Sequence, residues 1–261
     1  MSLAPPMTHQ LTLTALPNIP FVKPGNDLVA ILLDSLRESK IRLQNDDVLI
    51  IAQKIISKAE GRLVKLSAVI PSARAIEIAQ QVEKDPRQVE VILSETKEIV
   101  RMRPGVLVVE HRLGFVCANA GVDRSNVEVL EGDEYLLLLP ENPDRTCAEL
   151  REKLLVETGA TIGVIINDSH GRAWRNGAVG VAMGVAGIPA LLDLRGRTDL
   201  FNHTLNVTQI GLADELAAAA SLLMGQADEG RPVIHARGVP YSLREGTARE
   251  LIREKELDMF R

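Results

Sequence analysis

The chain has 261 residues, with 46% hydrophobic and 25% charged side chains and a formal net charge of -5. It is long enough to bury a substantial core, and its acidic balance leaves no basic footprint for nucleic acid. Cys117 and Cys147 are too few for a disulfide scaffold or a cysteine zinc site, and they suit a reducing cytoplasm.

The opening residues 1–10 lack the basic-then-apolar pattern of a secretory leader. Thr12 to Ile19 reads as a strand closing in a turn at Leu16-Pro17-Asn18-Ile19. Asn26 or Asp27 then caps a helix whose apolar residues Leu28, Ile31, Leu32 and Leu36 recur at helical spacing. Asp47 to Ile56 is a β-rich run leading into Ser57-Lys58-Ala59-Glu60-Gly61. Ser72 opens a helix through Ile76, Ala79 and Val82, and Pro86 starts another at a favourable first-turn position. Strands follow at Val106 to Glu110, Phe115 to Ala118 and Tyr135 to Leu139.

Beyond a Pro-rich stretch at 139–144, a helix is expected from Thr146 to Thr158 and a buried strand from Ile162 to Ile166. The uncharged run 177–192 is too short to span a membrane and is broken by Gly177, Gly180, Gly184, Gly187 and Pro189, so it reads as a buried strand-and-turn region. His203 to Gln209 suggests a strand, Leu212 to Met224 an alanine-rich helix, and Pro232 to Ala236 a last strand. Strands outnumber simple βαβ pairings, so the expected class is α+β with mixed sheets and flanking helices. The chain is taken as one unit over 1–261, or as two subdomains hinged near 139–144.

There is no Walker lysine loop, nucleophile elbow, dinucleotide fingerprint or zincin helix. Short polar clusters instead follow apolar strands, where a rigid ladder can aim side chains into a cleft. In Cys117-Ala118-Asn119-Ala120-Gly121-Val122-Asp123-Arg124-Ser125-Asn126, small residues permit a tight bend, and Asp123 and Asn126 offer oxygens. An Asx turn closed by Asp123 explains the same pattern. The run from Asn167 through Asp168, Ser169, His170, Arg172 and Arg175 to Gly177 supplies hard oxygen ligands suited to Mg²⁺ or Mn²⁺. Its arginines suit phosphate or carboxylate, although Asp168 could equally cap a turn and the arginines be solvated. Met224-Gly225-Gln226-Ala227-Asp228-Glu229-Gly230-Arg231 reads as a nucleotide or metal loop, or as an ordinary glycine stop. Gln53, Lys54 and Lys58 follow a strand from which lysines can reach phosphates as point charges. Aspartates, arginines, lysines and glycine-bounded loops together point to metal-assisted phosphoryl chemistry.

In this order the clusters resemble the coenzyme F(420)-0:γ-glutamyl ligase family, from Leu16 to about Gly238. The carriers are Ile56-Ser57-Lys58-Ala59-Glu60-Gly61, Ala118-Asn119-Ala120-Gly121-Val122-Asp123, Ser125-Asn126, Asp168-Ser169, Gly171-Arg172 and Met224-Gly225-Gln226. The resemblance implies that Asp123 and Asp168 hold a first divalent ion, and Ser169, where relatives more often carry Thr, a second with Gln226. It implies that Leu16, Pro17, Asn18, Ile19, Gln53, Lys54, Lys58, Asn126 and the loop Met224, Gly225, Gln226, Ala227, Asp228, Glu229, Gly230, Arg231 hold GTP. It further implies an intertwined homodimer, two Mg²⁺ or Mn²⁺ ions with K⁺ as a further candidate, and coenzyme F(420)-0 and L-glutamate as substrates. The expected reaction adds L-glutamate through γ-linkages by way of an acyl phosphate, in a cytoplasmic enzyme with no membrane or nucleic-acid partner. Arg172 and Arg175 are candidates to bind the acceptor carboxylate or the transferring phosphoryl group. A metal-dependent phosphohydrolase and a non-catalytic guanine-nucleotide sensor are the alternatives.

Overall fold

The computed structural model describes residues 9–127 and 132–260. The chain opens with β1 (Thr12–Ala15), α1 (Leu28–Glu38), β2 (Val48–Ala52) and α2 (Gln53–Ala59). A middle stretch follows: β3 (Leu63–Lys65), α3 (Ala73–Val82), α4 (Pro86–Ser94), β4 (Thr96–Arg103), β5 (Val106–His111), β6 (Val116–Ala118) and β7 (Tyr135–Leu137). The last part holds α5 (Pro143–Thr158), β8 (Gly163–Arg172), β9 (Arg175–Ala186), β10 (Leu192–Asp193), β11 (Gln209–Ile210), α6 (Leu212–Met224) and β12 (Val233–Arg237). The fold is therefore mixed α+β. No described helix is long and apolar enough to cross a membrane.

The first and last parts build a five-stranded sheet in the order β1-β12-β2-β8-β9. Only β2 and β8 are parallel; the other neighbours are antiparallel. Both faces are covered, which is why β2 and the first part of β8, Gly163 to Ile166, are apolar rather than alternating. Leu49, Ile51, Val164 and Ile166 face α1 and α5 through Leu32, Leu36, Leu150 and Leu154. Val48, Ile50 and Ile165 face α6 through Leu216, Ala217 and Ala220. Each such Leu or Ile contributes roughly 1.5–3 kcal/mol by leaving water.

Strand β9 changes phase along its length. The β8–β9 register shifts between Ile166 and Asn167, giving β9 one extra residue there. A Cβ on Gly180 would lie 2.4 Å from the Ala217 carbonyl oxygen of α6, and one on Gly184 would lie 2.5 Å from the Pro143 backbone of α5. These glycines therefore let helices approach the strand from opposite faces on either side of the bulge.

The middle stretch has its own core, in which Ile78, Val82, Val89 and Ile92 of α3 and α4 pack on Leu107, Val109 and Leu136. Its two connections to the central sheet are held by a charged cluster. Glu95 Oε1 accepts from Arg62 Nη2 at 3.0 Å and its Oε2 from Arg112 Nε at 2.9 Å, with His111 Nε2 at 3.3 Å. Arg62 Nε in turn donates to the Leu139 carbonyl (3.0 Å) and Arg112 Nη1 to that of Glu141 (2.8 Å). Burial alone would raise the Glu95 pKa, but His111 and the two arginines outweigh it and hold the carboxyl at about 2. The Pro-rich stretch at 139–144 is thus pinned by side chains from both sides of the junction.

Several expected elements are corrected. The run through Ile56 is not one strand: β2 stops at Ala52 and Gln53 to Ala59 is helical, because Ile55 and Ile56 reach the core by turning back over it. Asp168 and Ser169 do not follow a strand but lie within β8, which continues to Arg172 because β9 supplies a ladder partner. His203 to Gln209 forms a strand only at Gln209–Ile210; Asp199 binds the backbone of Phe201 and His203 in a turn instead. The helix expected from Thr146 starts at Pro143, capped by Asn142.

Candidate functional site

The predicted clusters meet where β2 ends. Ala52 pairs with Asn167, so Asp168 and Ser169 are the next residues of β8, beyond the last rung of the parallel pair. In open sheets with parallel strands, ligands settle outside such carboxyl ends. The N-terminus of β12 arrives at the same end through Ala52 N–H to Pro232 O at 2.7 Å, bringing the 224–231 loop with it. Leu16 N–H binds Val233 O at 2.9 Å, so Leu16 to Ile19 also lies there.

Asp123 is carried in by a strained turn. Asn119, Ala120 and Gly121 have φ of 51°, 51° and 65°, and a Cβ at Gly121 would stand 2.6 Å from Leu139. An alanine in this region costs of order 1 kcal/mol or more. The Asx turn is present: Ser125 N–H donates to Asp123 Oδ1 at 2.8 Å, and Ser125 Oγ to Oδ2 at 2.9 Å. Lys54 Nζ sits on the same carboxylate, 2.7 Å from Oδ2. Burial pushes the Asp123 pKa up, but the bonds from Lys54 and Ser125 outweigh it and keep the group below the usual carboxylate range.

One turn later on α2, Lys58 Nζ donates to Asn126 O at 2.7 Å, and Asn126 Nδ2 reaches Ala227 O at 3.3 Å. Ser169 Oγ donates to Gln226 Oε1 at 2.8 Å. Asp168, on the other face of β8, has His170 Nε2 3.0 Å from Oδ2. His170 packs on Phe115, and Phe115 stacks on His111 at 5.0 Å between centroids. Asp168 also faces Cys117, whose thiol is pushed up to about 12, by burial first and then by that carboxylate.

The structure thus brings together Lys54, Lys58, Asp123, Asn126, Ser169 and Gln226, with Asp168 one residue from Ser169. Others stand apart. Gln53 is buried, accepting from Ser57 Oγ at 3.4 Å. Asn18, at φ 56°, turns its amide to Glu38 (2.6 Å). Pro17 O accepts from Ser35 Oγ. Gly225, at φ 75°, folds the loop against Glu229, which accepts from Ala227 N–H at 2.9 Å; Asp228, Gly230 and Arg231 are exposed. Arg172 and Arg175 pair across the end of the β8–β9 hairpin, flanking exposed Trp174. Arg172 is four residues beyond Asp168, roughly 13 Å along the strand, and donates to Gly177 O at 2.9 Å.

Sequence patterns gave no weight to Phe115 and His111, and little to His170 alone; their stacking joins residues far apart in the chain. The oxygen donors suit a hard divalent ion: two carboxylates, a hydroxyl and an amide oxygen. Asn167 Oδ1 is a further oxygen, buried and without a hydrogen-bond partner among the described residues. The described residues contain no cluster of three or more His, Cys, Asp or Glu that would cage a metal.

Residues 17–238 match the family model described as F420-0:Gamma-glutamyl ligase. The chain is 44% identical over 253 residues to the coenzyme F420:L-glutamate ligase of Methanothermobacter thermautotrophicus, covering 96% of this chain and 99% of that one. It is 46% identical over 244 residues to the protein of that name from Methanopyrus kandleri (92% and 93% covered). With the one from Archaeoglobus fulgidus it shares 42% over 243 residues (93% of each). On a match spanning most of its length, and with relatives aligned nearly end to end, the chain belongs to the F420-0:Gamma-glutamyl ligase family.

Proposed function

We propose that this protein joins L-glutamate to coenzyme F(420)-0 through γ-linkages, with GTP as the activating substrate and two Mg²⁺ or Mn²⁺ ions. The observation that carries this reading is the convergence of Lys54, Lys58, Asp123, Asp168, Ser169 and Gln226 at the end of the parallel pair, from four distant stretches of chain. Asp123 and Asp168 would hold one ion, and Ser169 and Gln226 the other. Bound there, the ions would neutralise the triphosphate and orient phosphoryl transfer.

The residues' own roles follow from their chemistry. Lys54 and Lys58 are point charges for phosphate oxygens. Asn126 ties its loop to the 224–231 loop, so the two close on one nucleotide with Leu16 to Ile19 at the rim. An unactivated carboxylate is too poor an electrophile for an amine at neutral pH. The γ-phosphoryl group therefore passes first to the acceptor carboxylate. The amine of L-glutamate then attacks the acyl phosphate, and the C–O bond to phosphate breaks to leave an amide, GDP and phosphate. Arg172 and Arg175 are proposed to meet the acceptor carboxylate or the moving phosphoryl group.

The test is phosphate release measured in parallel with product mass. With GTP, metal and acceptor but no L-glutamate, steady release should fall to a slow leak; L-glutamate should restore it, with one phosphate per added residue. Brisk GTP cleavage without acceptor or glutamate, and no heavier deazaflavin, would favour a phosphohydrolase. Nucleotide binding without turnover would favour a sensor.

We also propose that the chain acts as a homodimer. The exposed Trp174 at the hairpin tip, near Phe260, and exposed Leu200 and Phe201 support burial against a second copy. Light scattering should give twice the chain mass across dilution to micromolar concentration; a monomer at every concentration would overturn it.

A further inference from the structure

Beside the proposed nucleotide site lies a cavity of about 430 Å³, which His170 connects to Asp168. Three carboxylates line it: Asp144, Asp214 and Asp258. Asp144 uses Oδ1 to accept from Val185 N–H (2.8 Å) and Ala248 N–H (2.9 Å), and Asp214 uses Oδ1 to accept from Ala182 N–H at 2.9 Å. Those bonds leave the Oδ2 atoms of both groups for other partners. Arg249 and Arg253 line the same cleft. Arg249 lies over Gly114, where an added Cβ would come 3.0 Å from Nη1. Neither guanidinium has an ion pair among the described residues, whereas Arg62, Arg87, Arg112, Arg151, Arg195, Arg237 and Arg244 are all paired.

The cleft therefore presents carboxylates, Asp144, Asp214 and Asp258, together with two exposed guanidinium groups, Arg249 and Arg253. Of the three substrates in the proposed reaction, only L-glutamate carries a cation and two carboxylates. The acceptor and the nucleotide bring phosphate and carboxylate, which Asp144 and Asp214 would repel. Building on the proposed ligase reaction, we infer that this cleft is the L-glutamate subsite: Asp144 and Asp214 receive the ammonium, and Arg249 and Arg253 the carboxylates. Val181 and Met183 furnish an apolar wall for the methylenes. His170 lies between this cleft and Asp168, so an amine held here faces the place where the carboxylate is activated. Burial pushes both aspartates above the usual carboxylate range, with backbone N–H groups offsetting it in part. A bound ammonium would relieve that penalty.

The test varies L-glutamate in the intact enzyme supplied with GTP, Mn²⁺ and deazaflavin acceptor. Asp214→Asn keeps an oxygen for Ala182 N–H, and Arg249→Gln changes an exposed side chain. Each should raise the KM for L-glutamate about tenfold or more, with the KM values for GTP and acceptor within about twofold of wild type. Glutarate, which has both carboxylates and no amine, separates the two roles when used as a competitive inhibitor. Arg249→Gln should weaken it, and Asp214→Asn should leave it unchanged. A raised KM for the acceptor, or an unchanged KM for L-glutamate in both variants, would overturn the assignment. A wild-type enzyme that forms no glutamylated product would instead overturn the ligase reading itself.

Discussion

Replacing Asp168 by Asn should cut glutamate transfer at least about a hundredfold while leaving the fold intact, since the loss is of charge at a proposed ion ligand rather than of volume. The Asp168 side chain is only 18% exposed and is held by His170, so an amide of the same shape keeps the packing. What it loses is the negative charge that would balance a divalent ion beside a triphosphate. Raising Mn²⁺ should recover part of the activity, because weakened binding is offset by mass action. Asp123→Asn should behave similarly, with the difference that Lys54 and Ser125 also lose their carboxylate partner. The measurement is steady-state product formation against metal concentration for both variants, alongside their melting temperatures. Wild-type turnover by Asp168→Asn at ordinary Mg²⁺ concentrations would remove that residue from the metal site.

Glu95→Gln should lower folding stability by about 3 kcal/mol at pH 7, the low end for breaking a buried ion pair because Arg62 and Arg112 stay partly exposed. A glutamine keeps the volume but leaves two guanidinium groups without a counter-charge. The pH dependence has a definite sign. The Glu95 pKa falls from 4.5 to about 2 on folding, so its contribution is complete above about pH 4.5 and is lost as pH falls towards 2. The difference between wild type and variant in urea unfolding should therefore be full at pH 7 and shrink between pH 4.5 and pH 2. An equal gap at pH 7 and pH 2.5 would mean that packing, not charge, holds the junction. The variant also frees His111, which stacks on Phe115 and so supports His170, making a milder loss of activity an expected companion.

Elements whose signals are local were legible in the sequence. The Asp27 cap and the 3.6-residue spacing of Leu28, Ile31, Leu32 and Leu36 define α1, and Leu212 to Met224 coincides with α6. Partners set by the sheet were not. The strand β4 was missed because its sequence, Thr96 to Arg103, is mostly polar and is made a strand by pairing with β5. Likewise, β8 runs through Asp168 and Ser169 although turn-forming residues crowd there, because β9 provides its hydrogen bonds. Of the polar clusters, the structure gathers Asp123 with Lys54 and Gln226 with Ser169 as their order suggested. Asp144 and Asp214 gave no signal: one sits in a proline-rich stretch and the other in the first turn of an alanine-rich helix, and only the fold brings both to one cleft.

The bulge opposite Ile166 and Asn167 has a chemical consequence. Along β8, Asp168 turns towards Cys117 and His170 while Ser169 turns towards Gln226, so the strand presents a carboxylate to one side and a hydroxyl to the other. Sliding β8 by one residue would exchange them, setting a hydroxyl against His170 and a charge against the Gln226 amide. Because β9 absorbs the extra residue, the helices on both faces can dock without dragging β8 out of step. Alignment of a single strand thus decides which kind of oxygen meets which neighbour, and the spare residue in its partner acts as slack that protects this choice.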